Sequence, residues 1–385
     1  MLNVVVGHSN DPDSLSAISE ILEQCQENLN GKLPQAGILF AAIDFDYALI
    51  LQEITKAFPS IELIGGTTDA EISSLLQFQQ DSIALMLFCA DEIEIYAGLG
   101  RNLSQDPILA TQQAVEQAKS KIKNQASSQL CLTFPESLTV DGVAIVEGLK
   151  LALGKDIPIF GGLTADQWKF EKTYQFFQTE ILSDAVPVLI FSGKFLFSQG
   201  VASGWHPLGK KGKITKVDKN ILYEINHKPA LDFYHHYLGG LPPSGEYPLA
   251  VFESETEEFY MRAPSVYDPE KGSITFLGEI PADVFVQIAQ ASRNEILDAA
   301  KTSITNALNN YPGKQPDAAL FFSCAARRLL LGTRTIEEYQ LAQEFLTSDI
   351  PGCGFYTHGE ISPLNGGGET RLHHETFVTL LIGRH

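Results

Sequence analysis

Three short loops hold the residue types that a small polar molecule would need. They are Gly65-Gly-Thr-Thr-Asp-Ala-Glu71, Gly161-Gly-Leu-Thr-Ala-Asp166 and Gly354-Phe-Tyr-Thr-His-Gly-Glu360. Glycine lets a backbone turn sharply and approach a ligand without a Cβ. Threonine hydroxyls donate or accept, and a carboxylate such as Glu71, Asp166 or Glu360 can hold an ammonium group. The candidate binding residues are therefore Gly66, Thr67, Thr68 and Glu71 in the first loop, and Gly162, Thr164 and Asp166 in the second. The third contributes Gly354, Tyr356, His358 and Glu360. The plainer alternative is that the glycines serve only the turns and the carboxylates cap them. One such loop would favour that alternative; three favour a polar pocket.

Cys324-Ala-Ala-Arg327 adds a thiol and a guanidinium at the C-terminal end of the apolar run Ala318 to Phe322. The planar fork of Arg327 suits a ligand carboxylate, against the alternative of a capping arginine. A helix N-terminus can activate a thiol at such a turn. Spacing shows no Cys–His–Asp grouping, so Cys324 is placed among the lining residues, and no enzyme activity is expected. Gly204-Trp-His-Pro-Leu-Gly-Lys-Lys211 imitates a phosphate-binding loop. However, Lys211 stands where magnesium needs Ser or Thr, and a strand pattern follows instead of a helix. The pairs His235-His236 and His373-His374 lack an acidic array at ligand spacing, so both are read as partly exposed histidines on strands and not as metal ligands.

The elements that must position these loops repeat. Each loop follows a strand, an amphipathic helix and a short strand, and precedes an apolar strand. Ile38 and Gly66 are 28 residues apart, Leu132 and Gly162 30, and Phe321 and Gly354 33. A period of that length is one supersecondary unit, and open α/β sheets place ligands at the ends of their strands. The expected fold is mixed α/β, with mixed sheets built from these strand–helix–strand–strand units. Further helices are expected at Asp13 to Leu29, Pro107 to Ile122 and Asp283 to Leu308. A hairpin is expected over 213–225, turning at Asp218, Lys219 and Asn220, with antiparallel strands from Phe252 to Met261 and from Ser273 to Leu277.

The chain has 385 residues, 44% hydrophobic and 19% charged, an ordinary globular balance. A net charge of −20 argues against nucleic-acid or anionic-membrane partners. No apolar run approaches the ~20 residues of a membrane helix, and the start carries no readable signal peptide. The five scattered cysteines form no Cys-x-x-Cys pair, which fits a reducing, cytoplasmic setting.

In their joint order these motifs resemble the FIST family, the paired FIST N and FIST C sensory domains. The N-terminal half is similar at Gly65 to Ser73, at Gly98-Leu-Gly100 with Asp106-Pro107, at Gly161 to Asp166, and at Gly204 to Gly209 ahead of a hairpin ending in Lys228-Pro-Ala-Leu231. The C-terminal half is similar at Ser323 to Arg327, at Gly354 to Ile361 and at Glu375-Thr376. The resemblance implies two closely packed domains, 1–226 and 227–385. It also implies a bacterial-type sensor of amino acids or related metabolites. Such domains work beside histidine kinase, diguanylate cyclase or chemoreceptor outputs. No output follows His385, so the expected partner is a separate signalling protein. Two alternatives come with the family: a haem-based nitric-oxide sensor using His358, His373 or His374 as axial ligand, and a non-catalytic interaction scaffold. Two positions depart from the pattern. Gly65 stands where the family often has Cys, and His374 where it often has Asn.

Overall fold

The repeat read in the sequence is the outer part of a larger unit that occurs three times. In the computed structural model, which describes residues 2–123, 128–252, 258–347, 349–364 and 368–384, each unit starts one strand and one helix earlier than the sequence repeat. Unit one is β1 (Leu2–Ser9), α1 (Ser14–Leu29), β2 (Ala36–Ala41), α2 (Tyr47–Ala57), β3 (Glu62–Thr67), the hairpin β4 (Ala70–Ser73) and β5 (Gln77–Gln79), and β6 (Ile83–Ala90). Unit two is β7 (Ile93–Arg101), α3 (Pro107–Ser120), β8 (Ser128–Thr133), α4 (Gly142–Leu153), β9 (Ile159–Gly162), the hairpin β10 (Gln175–Phe177) and β11 (Glu180–Leu182), and β12 (Ala185–Gly193).

Unit three opens with β13 (Leu196–Ala202) and is then interrupted. Residues 203–292 form an inserted antiparallel sheet with one helix. Its elements are β14 (His206–Asp218), β15 (Ile221–Ile225), β16 (Lys228–Pro229), α5 (Ala230–Leu238), β17 (Leu249–Phe252), β18 (Tyr260–Arg262), β19 (Pro264–Asp268), β20 (Ser273–Phe276) and β21 (Phe285–Gln290). The unit resumes with α6 (Arg293–Asn309), β22 (Ala318–Cys324), α7 (Ala325–Leu331), α8 (Ile336–Phe345) and β23 (Gly352–Thr357). It ends with the hairpin β24 (Glu360–Pro363) and β25 (Thr370–His373), then β26 (Phe377–Gly383).

Each unit lends its hairpin to another unit's sheet. The β4–β5 hairpin pairs with β23 of unit three, β10–β11 with β3 of unit one, and β24–β25 with β9 of unit two. The exchange is cyclic, so the sheets close around a pseudo-threefold axis. Phe40 of β2, Phe134 just past the end of β8 and Phe322 of β22, at matching positions of the three units, fill that axis. Ring centroids are 4.9 Å apart for the first pair and 6.2 Å for the second, and Phe355 touches all three. The division at 226/227 falls in the turn between β15 and β16, while β4 and β5 complete a sheet that also holds the C-terminal strands β22, β23 and β26.

Local signals explain most elements. Asp13 and Asp106 cap α1 and α3 through their side chains, and Pro107 occupies the first turn. The helix expected over Asp283 to Leu308 is corrected. Phe285–Gln290 is strand β21, alternating in burial, and the helix starts at Arg293 behind a Ser292–Glu295 capping box. The hairpin turning at Lys219 and Asn220 is present. The strand expected from Phe252 to Met261 falls partly on residues 253–257, outside the described residues. The phosphate-loop imitation is followed by the long strand β14. His235 and His236 are exposed on helix α5, not on a strand, because Pro229 opens a helical turn there.

The recurring glycines are explained by packing. A Cβ on Gly65, Gly161 or Gly354 would overlap the carbonyl of Leu39, Thr133 or Phe321 on the neighbouring strand. A Cβ on Gly66 would meet the Thr164 side chain, and one on Gly162 would meet Thr357. Gly354→Ala should therefore cost more than about 3 kcal/mol, read as a fall in the chemical-denaturation midpoint. Gly245→Ala, where the new methyl finds ordinary contact at 3.6 Å, should stay within about 0.5 kcal/mol.

Candidate functional site

The three glycine–threonine loops meet at one end of the axis. Asp69 N–H donates to Tyr356 O (3.0 Å), Ala165 N–H to Thr67 O (2.8 Å) and His358 N–H to Leu163 O (3.4 Å). Each loop thus donates to the next, and the backbone closes into a ring. The repeat places Asp69 and His358 at matching positions, with Asp166 one residue beyond the corresponding Ala165.

His358 is the hub of this ring. Its Nε2 lies 3.9 Å from Asp69 Oδ1 and 3.9 Å from Asp166 Oδ1, while Ser137 Oγ is 3.2 Å from Nδ1. Two carboxylates around Nε2 favour the tautomer that carries its proton there. Phe170 stacks on the imidazole at 5.0 Å, with Trp168 edge-on to Phe170. Burial holds the His358 pKa below its ordinary value, although Asp69, Asp166 and Glu136 pull it back up. Burial raises the Asp69 pKa, with His358 and Arg328 opposing. Neither Asp69 carboxylate oxygen has a hydrogen-bond partner among the described residues, although the Gln167 amide lies near.

A cover lies over this hub. Asp166 accepts from the backbone N–H groups of Phe170, Glu171 and Lys172, and Gln167 Nε2 donates to Asp81 Oδ1 at 2.6 Å. Gln167, Trp168 and Phe170 all adopt left-handed backbone angles, φ 55°, 64° and 50°. Each costs on the order of 1 kcal/mol, and Trp168 and Phe170 remain partly exposed.

Beyond Gly359 lies a second polar group. Glu360 accepts from Thr376 N–H (3.0 Å) and Oγ1 (2.7 Å), leaving Oε1 unpartnered. Both oxygens of Glu375 and both ring nitrogens of His374 are also without a partner among the described residues. Burial raises the Glu375 pKa, and Glu360 adds to the shift. The pairs His373–His374, expected to be partly exposed, are fully buried. The inserted sheet is the cause: Arg262 reaches across to donate to Leu372 O at 3.2 Å. Glu375 matches Asp81 and Asp184 in the other units, and all three have positive φ. Asp184 instead binds Ser104.

Several expected site residues have other partners. Arg327 is fully buried and donates to Glu338 Oε1 (2.9 and 2.6 Å), Ser203 O (2.5 Å) and Ile296 O (2.7 Å). The fork expected to meet a ligand carboxylate is thereby committed to Glu338, and Tyr356 Oη donates to the same glutamate at 2.7 Å. The next residue, Arg328, points towards the ring and donates to Asp69 O at 2.8 Å. Glu71 binds Thr68 and Ser82, and Ser82 also lies 2.9 Å from His8 Nε2. Thr67 and Thr164 bond backbone at Tyr174 and Pro135. The Cys324 thiol is pushed well up by burial and by Glu360 and Glu375, the reverse of an activated nucleophile. The ring keeps His358 and Asp166 from the expected set and adds Asp69, Ser137, Arg328 and Phe170. Aligning Thr68-Asp69 with Thr357-His358 was the signal that could have found Asp69.

Haem does not fit these histidines. A porphyrin on His358 Nε2 would need the space held by two carboxylates, and Phe170 covers the ring face. His373 Nε2 is bonded to Ser362 O at 2.7 Å, and His374 packs directly against Gly359. No group of three or more metal-ligating side chains occurs among the described residues.

The FIST N domain matches residues 35–228 and the FIST C domain residues 230–363. The chain belongs to the FIST family. FIST domains are sensory domains, and here the two domains share their sheets. An uncharacterized protein of Mycobacterium bovis is 23% identical over 397 residues, covering 95% of each chain. One of Mycobacterium tuberculosis is 21% identical over 390 residues, covering 95% of this chain and 96% of its own. An uncharacterized Methanocaldococcus jannaschii protein is 30% identical over 103 residues, covering 26% of this chain, which spans 20% of that protein. Solved structures titled as cyanuric acid hydrolase cover 100% of both chains, at 9% and 10% identity with TM-scores of 0.41 and 0.38. A likeness of that size assigns no activity. No helix among the described residues is long and apolar enough to cross a membrane.

Burial pushes Glu360 up to about 8 from an ordinary 4.5. The folded protein then keeps a proton that the unfolded chain has released, so stability should fall as pH rises from about 4.5 to about 8. Glu360→Gln should flatten part of that slope in denaturation midpoints taken at three pH values across the window. An unchanged slope would assign the effect to another group.

Proposed function

We propose that this FIST protein senses a small polar ligand bound where Asp69, Asp166 and His358 converge, beneath the Trp168–Phe170 cover. One observation carries this reading. Of twelve buried side-chain atoms without a partner among the described residues, eight belong to Asp69, His358, Glu360, His374 and Glu375. Buried polar groups are ordinarily satisfied, so their concentration in two adjoining groups marks a place for a partner from outside the chain.

The charges favour a zwitterion such as an amino acid or a related metabolite. Asp69 would take the ammonium group, and Arg328, which spends one bond on Asp69 O, would take the carboxylate. To enter, the ligand must lift Phe170 from His358. Binding then favours one arrangement of the cover and ring over another, which is how differential affinity becomes a signal. The reading extends to a cytoplasmic setting without enzymatic activity, the signal passing to a separate histidine kinase, diguanylate cyclase or chemoreceptor.

A thermal-shift screen against amino acids and small organic acids tests the ligand class. Saturation at 100 times the dissociation constant adds about 2.7 kcal/mol of stability. Arg328→Ala should weaken the best hit by about 1.5–3 kcal/mol with little loss of stability. Arg327→Ala should instead destabilise the fold by about 3–5 kcal/mol by stranding Glu338. Because Trp205 is buried and Trp168 partly exposed, the hit should also change tryptophan fluorescence, and Trp168→Phe should remove the change. Equal affinity in Arg328→Ala and the wild type would refute the assignment.

A further inference from the structure

A groove of about 480 Å³ lies between α4, the β24–β25 hairpin and strand β18 of the insertion. It is within the size range of small-molecule sites. Four of its thirteen lining residues are cations, Lys150, Lys155, Arg262 and Arg371, in a chain with 27 lysines and arginines among 385 residues. Glu147, Glu279 and Glu369 line it too, so the lining carries four cations against three carboxylates on a molecule of net charge −20. We propose that the groove is a second ligand site, for a compact polyanion carrying phosphate or carboxylate groups.

The cations are held in place by the surrounding structure. The Arg262 side chain is anchored by backbone carbonyls, Nε to Glu279 O at 3.0 Å and Nη1 to Met261 O and Leu372 O at 3.2 Å each. Its guanidinium lies 4.4 Å from the Tyr260 ring centroid, and the Arg371 guanidinium lies 5.7 Å from the same ring. A planar cation on an aromatic face keeps its orientation and is weakly hydrated, which suits oxyanion recognition. Lys150 is nearly buried on α4, and its ammonium is held by Glu147 Oε1 at 2.8 Å.

Glu369 sets a carboxylate between two of these cations. Its Oε2 is 3.2 Å from Lys150 Nζ and its Oε1 3.2 Å from Lys155 Nζ, and the glutamate side chain is 48% exposed. A carboxylate that bridges two ammonium groups while remaining half in water is an internal competitor that a stronger anion can replace. Glu147 and Glu279 also line the groove and set a limit on the charge it accepts. Glu369 leads into β25 of the hairpin whose first strand begins at Glu360, two residues past His358. An anion that displaces Glu369 therefore acts on the hairpin that follows the ring's histidine.

This site stands independently of the ring reading. The test is isothermal titration of the full chain with pyrophosphate and, separately, with citrate at low ionic strength. Wild type should bind at least one, more weakly in added salt, and the better probe identifies the phosphate or carboxylate source. Glu369→Gln should tighten binding roughly two- to fivefold, the worth of an exposed ion pair. Arg371→Gln should weaken it by about as much or more, and Asp69→Asn should leave it unchanged. Binding of neither probe would overturn the proposal, as would an affinity that Glu369→Gln fails to raise. Loss of binding in Asp69→Asn but not in Arg371→Gln would place the anion at the ring instead and equally overturn it.

Discussion

Three backbone hydrogen bonds, passed from loop to loop around the pseudo-threefold axis, are the constraint on which the site depends. Asp69, Ala165 and His358 can donate to Tyr356, Thr67 and Leu163 only if the three inner strand pairs approach closely at their ends. Gly65, Gly161 and Gly354 permit that approach because the neighbouring carbonyl occupies the place of a Cβ. Gly66 and Gly162 then leave room for Thr164 and Thr357. The phenylalanines on the axis below exclude water, so the side chains above it are buried.

Within that frame the symmetry is broken for chemistry. Unit one supplies a carboxylate, unit three an imidazole, and unit two a carboxylate one residue further on. Burying an unpaired carboxylate is expensive, and the strained cover over His358 adds to the expense. By contrast, two buried polar networks that serve the fold leave none of their side-chain atoms without a partner. Arg327, Glu338, Tyr356 and Ser323 form one closed network. The chain Thr68–Glu71–Ser82–His8–Ser73 forms another. The inserted sheet adds a further asymmetry, because Met261 and Arg262 lie beside His374, while Asp184, the counterpart of Glu375, keeps a partner.

The repeat, the mixed α/β class and the family were legible because hydrophobic period and loop composition recur together. The cyclic hairpin exchange was not, since pairing between distant strands leaves no local trace in sequence. Phe285–Gln290 reads in sequence as part of the following helix because Ile288 and Ile296 also fit a helical stripe; the capping box at Ser292 is the stronger boundary signal. At the site, His358 and Asp166 were legible from the loops themselves. Arg327 and Arg328 are adjacent on one helix, and only the position of Glu338 decides which of them turns inward. The glycines stand out in the sequence as a set, and their geometry is explained by strand approach and threonine packing.

The central claim is that the ring of loops is a ligand site and not merely a buried junction. Hydrogen exchange measured by mass spectrometry, with and without the amino acid that gives the largest thermal shift, tests it most directly. The account expects altered protection confined to the segments 165–172 and 357–360, with the 167–170 cover changing most. Protection that changes only elsewhere, or a uniform change across the whole chain, would contradict it.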